Sequence, residues 1–466
     1  MHICVVGTGA AGWITAHYLE RLPKVTKITI VGSKVIPTIG VGESTTLLFN
    51  DFVNNILQLT GDDYFRFFKD IDAALKYGVS YEGWSNNKFL HGFYQASHEF
   101  YYNSYLLANK PSDENVNDYT STISDYAYNN DIAMHYSDAP NSWHFDANKF
   151  ISAMTNLAQG KEKITHLEGT AVDLIYDGQI AKTAILADGS VIEADYFISC
   201  IGQTGFNQTV FKEEYISYGD VLLTDKAVFY PLPYKNKKEE FHPYTKAKTM
   251  KYGWRWITPT WSRIGTGYVF SSKYITVEQA KQELIEDIGD DSIEPFSIDF
   301  TPRKVKKVFK LNTCTIGMAS GFVEPLDAPG IDLSIQTLTY LERLIEKEGD
   351  EYLSTLDFFN SEMDYNFNFW ASFILLQYKT SNRNDTKFWK DHKNVDFEFY
   401  EKLMNELNNE TFSLPWGWEK SMFYHTMAGK GVQWNVPDST LPKTLPHFDI
   451  EVINHYEALK TIYETY

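Results

Sequence analysis

The run His2-Ile3-Cys4-Val5-Val6-Gly7-Thr8-Gly9-Ala10-Ala11-Gly12 decides the fold. Its first half is a short β-branched apolar stretch, which reads as a strand. Its second half places three glycines at the spacing GxGxxG. Residues 13–22 then repeat apolar side chains at Ile14, Tyr18 and Leu22, one face of a helix, and residues 28–31 form the next strand. Strand, glycine turn, helix and strand make the βαβ unit that opens a doubly wound α/β fold. In that setting Gly7 permits the turn, Gly9 lets backbone approach a pyrophosphate, and Gly12 allows close packing of helix on strand. The helix N-terminus adds unpaired N–H groups and a partial positive charge. The acid that usually ends the second strand and holds ribose hydroxyls is absent; Gly32-Ser33 stands there.

Outward from this unit, residues 76–84 (KYGVSYEGW) turn strand-like, and residues 101–136, rich in Asn, Asp, Ser and Tyr, read as an irregular surface insertion. Residues 164–200 hold short strands around the turn Asp188-Gly189. Residues 228–251, with Pro231, Pro233, Pro243 and several lysines, read as loop. Strands return over 254–272, and helical patterns dominate from Leu333 onward. The expected organisation is a body over 1–345 and a mostly helical part over 346–466.

The net charge of −19 excludes nucleic acid and anionic membrane as partners, since both need a basic surface. Aromatic residues make up 16% of the chain, a surplus that suits cores and pockets for flat ligands. Cys4, Cys200 and Cys314 form no CxxC pair, so neither a disulfide framework nor a metal site is expected. No signal-type N-terminus and no apolar run long enough to span a bilayer is evident, which makes the cytoplasm the expected location. A homo-oligomer is compatible with all of this.

Several separated motifs, in order, are similar to those of one family. They are GTGAAGW (7–13), IGVGEST (39–45), AALKYGVSYEGW (73–84), HFDA (144–147), GWRWITP (253–259), GTGYVFSS (265–272), IGMASGFVEPLDAPGI (316–331), TSNRNDTKFW (380–389) and FYHTMAGKG (423–431). The chain resembles the flavin-dependent halogenases of the tryptophan-halogenase type over nearly its whole length, most specifically in IGVGEST and GFVEPL. The resemblance implies an FAD-binding, Rossmann-like fold of the flavin monooxygenase type. It also implies reduced FAD delivered by a separate NAD(P)H-dependent reductase. Consistent with that, no second dinucleotide loop follows: Gly265-Thr266-Gly267 lacks its third glycine, with Phe270 in its place. In the family, reduced flavin, oxygen and a halide ion (chloride, bromide or iodide) yield hypohalous acid, which passes along an internal tunnel to a separately bound aromatic substrate.

Residue by residue, the resemblance implies that Gly7, Gly9, Ala10, Ala11, Gly12, Ser33, Gly40, Glu43, Met318, Gly330 and Ile331 hold FAD. The tunnel lysine maps onto Lys76. As an ammonium it could polarise the oxidant, and as a neutral amine it could be halogenated; the residues leave both open. Asp327 stands where the family has a glutamate, one methylene shorter. The family's Ser-Thr-Gly becomes Ala328-Pro329-Gly330, and because proline has no N–H, halide would rest on Gly330 and Ile331. An altered halide preference is expected from that change. Trp254 and Trp256 match the tunnel tryptophans, with Thr258 in place of the motif's isoleucine. His91 and Phe93 match the pair that sandwiches the substrate ring, and Trp418 its stacking partner. The residues before Trp418, Ser413-Leu414-Pro415-Trp416-Gly417, lack the glutamate that reads a tryptophan head group, which favours indoles, phenols or similar electron-rich aromatics over free tryptophan. Direct hydroxylation by an FAD monooxygenase and an inactive flavin-binding protein are the alternative readings.

Overall fold

The computed structural model describes residues 1–33, 43–86, 89–93, 141–203, 205–408, 422–423, 426–427, 430, 432 and 455–466. The opening unit forms as its pattern dictates. Strand His2–Val6 leads through the glycine turn into helix Ala10–Glu20 and strand Lys27–Gly32, which lies parallel to the first. The helix is buried almost all round, because a second layer covers the side turned away from the sheet.

A six-stranded sheet grows from this unit. Its order is Phe309–Lys310, Thr313–Thr315, Tyr196–Ser199, His2–Val6, Lys27–Gly32, Ile164–Glu168, parallel except for the first pair. Parallel pairing aligns the carboxyl ends of the central strands, and three loops meet there. They are the turn at Gly7, the segment after Ser199 (Cys200 N–H to Val6 O, 2.7 Å) and the short 3-10 turn Gly317–Ala319 after Thr315. Ligands of open α/β sheets bind outside such ends.

A seven-stranded sheet packs beside it, in the order Phe296–Asp299, Lys226–Leu232, Ile264–Phe270, Gly253–Pro259, Thr245–Met250, Gly78–Glu82, Phe89–Gly92. Here the expectation of loop over 228–251 fails, since two strands occupy most of it. Pro231 is tolerated because the neighbour on one side, Phe296–Asp299, pairs only as far as Phe229. In Thr245–Met250 the lysines alternate with buried Thr245, Ala247 and Thr249, a period-2 pattern that composition alone hides. The strand-like stretch from Lys76 divides at Tyr77 into Ala74–Lys76 and Gly78–Glu82. The first piece joins a small sheet with Ser142–Phe145 and Glu43–Ser44. The hairpin at Asp188-Gly189 forms as read, with Gly189 at φ +85° between Ala181–Leu186 and Val191–Glu193.

Helices Pro329–Ile345, Gly349–Lys379, Lys387–Lys393, Glu398–Asn408 and His455–Thr465 supply most of the remainder. The 31-residue helix Gly349–Lys379 is buried throughout its last third, from Phe369 to Tyr378. Its aromatic side chains join one apolar cluster that reaches back to Ile3 and Trp13. No helix is long and apolar enough to cross a membrane among the described residues.

Candidate active site

The glycine loop is shaped for a ligand at one position and for packing at the others. Gly7 sits at φ +115°, where an added Cβ would lie 2.6 Å from the Cys200 carbonyl oxygen. At Gly12 a Cβ would meet the Gly7 carbonyl oxygen at 1.8 Å. At Gly9 it would meet nothing within 4 Å, so open space lies in front of that backbone, at the N-terminus of helix Ala10–Glu20. The missing strand-end acid also has a cause. A Cβ at Gly32 would lie 2.1 Å from the Thr8 hydroxyl, so the Thr8 side chain fills the place. Gly317, at φ +70°, brings its turn against the same loop; a Cβ there would sit 2.8 Å from Ala11 Cβ. Met318 follows, half-buried, and Ser33 lies half-buried after the second strand. Such a cradle fits a dinucleotide pyrophosphate.

Across the same face, Asp327 and Ala328 turn the chain into helix Pro329–Ile345. Both are non-glycine residues in the left-handed region, each at φ +61°. Conformations of that kind cost about 1–3 kcal/mol each and persist where the surroundings impose them. Pro329 occupies the first helical position, where its missing N–H loses nothing intrahelical. Gly330 and Ile331 follow in the first turn, whose amides have no intrahelical acceptor. A Cβ at Gly330 would again meet nothing within 4 Å.

Lys76 ends strand Ala74–Lys76 and is 1% exposed. Its ammonium donates to the Thr45 carbonyl oxygen at 2.7 Å and lies 5.2 Å from the Phe93 ring centre. Burial pulls its pKa down to about 8, against the opposing charges of Asp327 and Asp332. The Asp327 carboxylate accepts from the Tyr81 hydroxyl and is joined to His91 Nδ1 at 3.0 Å. Burial would raise this carboxyl, but His91, Tyr81 and Lys76 outweigh it and hold it below the usual carboxylate range. Lys76 and Asp327 make no direct ion pair; they share a field rather than a contact.

Trp254 and Trp256 are both buried on strand Gly253–Pro259, their ring centres 6.4 Å apart. Trp254 Nε1 donates to Glu324 Oε1 at 2.6 Å, an oxygen that also accepts from Tyr378 at 2.7 Å. Thr224 donates to the other oxygen at 2.7 Å. Burial pushes the Glu324 carboxyl up to about 6 despite these three donors. Trp256 lies over Gly267, where a Cβ would stand 2.2 Å from its ring.

The family model described as tryptophan halogenase matches residues 2–442. The chain belongs to the tryptophan halogenase family. It is a flavin-dependent halogenase, an enzyme that works with a separate flavin reductase. Its relatives include tryptophan 7-halogenase RebH of Lentzea aerocolonigenes, 28% identical over 95% of this chain and 91% of that protein. Tryptophan 6-halogenase ThaL of Streptomyces albogriseolus is also 28% identical, over 84% of this chain and 79% of its own. Among solved structures, the tryptophan C-6 flavin-dependent halogenase (chlorinase) from taromycin biosynthesis superposes with a TM-score of 0.84. That match is 25% identical and covers 99% of this chain and 96% of the other.

Within the halogenase, the residues expected from sequence gather into two groups. The loop residues Gly7 to Gly12, Ser33 and Met318 lie at the sheet's carboxyl ends, while Lys76, His91 and Asp327 are buried, with half-buried Phe93 beside Lys76. Glu43 lies in strand Glu43–Ser44, paired with Phe145. Gly40, Trp418 and the insertion at 101–136 fall outside the described residues. His91, expected only against a substrate ring, is also bonded to Asp327. The sequence reading passed over Tyr81, Glu324, Asp332 and Lys430. Lys430 is buried, donates to the Gln377 carbonyl oxygen at 2.6 Å and lies 5.5 Å from the Tyr81 ring centre. Tyr81, Glu324 and Lys430 all lie inside the shared motifs, while Asp332 lies just beyond one.

Proposed function

We propose that this halogenase binds FAD across Gly7–Gly12 and the Gly317–Ala319 turn, and halide at the first-turn amides of Gly330 and Ile331. When bound and reduced, FAD supplies with oxygen and halide the hypohalous acid that the reaction needs. Trp254 and Trp256 wall the passage, and the Glu324 carboxylate fixes Trp254 by its indole N–H. The passage excludes water and other nucleophiles, as confinement of a reactive oxidant requires. Lys76 receives the oxidant. Two nearby carboxylates favour its ammonium form near neutrality, which donates a hydrogen bond to the oxidant and polarises it. Asp327 accepts the proton released when the ring is substituted. His91 and Phe93 hold an electron-rich aromatic ring by their flat faces. Indoles and phenols are the proposed substrate class, and free tryptophan is not.

The observation that carries this reading is the burial of Lys76 beside, but not bonded to, Asp327. The test is a reaction of purified protein, FAD, a flavin reductase, NADH and bromide with a panel of indoles, phenols and tryptophan, read by mass spectrometry. A bromine mass shift on an indole or phenol that disappears in Lys76→Ala is expected. An added oxygen instead, or a shift retained in Lys76→Ala, refutes the proposal.

A further inference from the structure

Lys76 has a second carboxylate neighbour that no motif pointed to. Asp332 is buried in the first turn of helix Pro329–Ile345, two residues beyond Gly330. It accepts a hydrogen bond from the Thr46 hydroxyl at one oxygen and from Gln336 Nε2 at the other, at 2.8 Å. The preceding residue, Thr45, carries the carbonyl on which the Lys76 ammonium rests. Ser142 closes the arrangement, donating to the Thr46 carbonyl oxygen at 2.6 Å and lying 2.5 Å from the Thr45 hydroxyl. Helix, Thr45-Thr46 and the strand end at Lys76 are thus held in series by buried hydrogen bonds.

We infer that Asp332 is a positioning residue for halogenation: through Thr46 it fixes the carbonyl that seats the Lys76 ammonium, and its charge helps keep that amine protonated. The inference rests on Lys76 acting as the proposed function has it. The groups that bear on Lys76 are few. Asp327 and Asp332 face it with negative charge, Phe93 with its ring, and His144 from strand Ser142–Phe145. His144 is neutral, held well below its ordinary pKa by burial. Around Asp327 stand His91, Tyr81 and Lys430; around Asp332 stand Thr46, Gln336 and Lys76. Burial pushes the Asp332 carboxyl up to about 6, with Thr46 and Lys76 opposing, so it is an anion at neutral pH.

Asp332→Asn removes the charge while keeping an oxygen for Thr46. Gln336 can accommodate the new amide: its Oε1 has no hydrogen-bond partner among the described residues, and a flip of its side chain presents that oxygen. Asp332→Ser is a second variant should the first fail to fold. Lysines labelled with carbon-13 at the ε position in the full chain are titrated by NMR, and the signal lost in Lys76→Met is assigned to Lys76. The midpoint is expected to fall by roughly one pH unit in Asp332→Asn, as loss of a nearby opposite charge implies. The alkaline limb of kcat should move down with it, giving about fivefold less activity near pH 8. Thr46→Val, which keeps the charge, should lower kcat with a smaller midpoint change. An unmoved Lys76 midpoint in Asp332→Asn overturns the inference while leaving Lys76 in its role. Full halogenation by Lys76→Met overturns the role itself, and the inference falls with it even if the two charges prove coupled.

Discussion

Replacing Lys76 by methionine should make the folded protein more stable near neutrality while abolishing halogenation. The magnitude follows from burial. A fall in the lysine's pKa from 10.5 to about 8 means that its charged form is disfavoured in the folded state by about 3 kcal/mol. Below pH 8 the amine is charged both folded and unfolded, and the fold carries the whole cost. Between pH 8 and 10.5 the folded protein sheds its proton first, and the cost fades. Methionine fills a similar volume and carries no charge, but it leaves the Thr45 carbonyl without this donor, which offsets about 1–3 kcal/mol at every pH. The pH dependence therefore isolates the charge. Denaturant unfolding of flavin-free wild type and variant, measured in parallel, should show wild type gaining about 3 kcal/mol on the variant between pH 7.5 and 10.5. Contributions from titrating groups not coupled to Lys76 cancel in the difference, and the coupled carboxyls of Asp327 and Asp332 titrate below this range. A stability difference that stays flat across that range would refute the buried-ammonium argument.

Gly9→Ala should fold with wild-type stability, since the new Cβ meets nothing within 4 Å, yet lose FAD affinity because the methyl occupies the ligand's space; thermal unfolding and flavin fluorescence titration separate the two. Gly330→Ala should likewise leave the fold intact and raise the KM for halide, and competition among chloride, bromide and iodide should favour one of the larger ions over chloride, because Pro329 has removed a donor. Gly267→Ala forces a methyl to 2.2 Å from the Trp256 ring and 2.6 Å from Phe229 Cβ. It should cost about 1–3 kcal/mol and let oxidant escape, read as increased halogenation of a dimedone trap in bulk solution.

What the sequence revealed was what local chemistry forces. Glycines at 7, 9 and 12 announced the loop because two of them are demanded by backbone approaches that no side chain survives. Lys76 was legible as buried because Tyr77, Val79 and Tyr81 follow it in a strand-like run. The region 228–251 was misread because proline and lysine there were counted as loop formers. Sheet position decided otherwise: Pro231 faces the place where a neighbour ends, and Lys246 and Lys248 alternate with buried residues. Glu324 and Asp332 were passed over for a different reason. Each acquires one donor from a segment far along the chain, Thr224 at 100 residues for Glu324 and Thr46 at 286 for Asp332, and no local pattern encodes such a meeting.

The departures around Asp327 fit together physically. A glutamate's extra methylene is absent, yet the shorter carboxylate is well provided for, since Tyr81 and His91 both reach it. The two consecutive left-handed residues, Asp327 and Ala328, orient it toward those partners. Lys76 meanwhile spends a hydrogen bond on a backbone carbonyl instead of on the acid. A direct salt bridge would satisfy both charges and leave neither group free to engage a substrate, as buried pairs held in good geometry do. Seating each charge on separate partners keeps the donor and the acceptor close enough to feel one another's field. Electrophilic substitution needs that arrangement: a donor to activate the halogen, and an acceptor, not already neutralised by the donor, to take the departing proton.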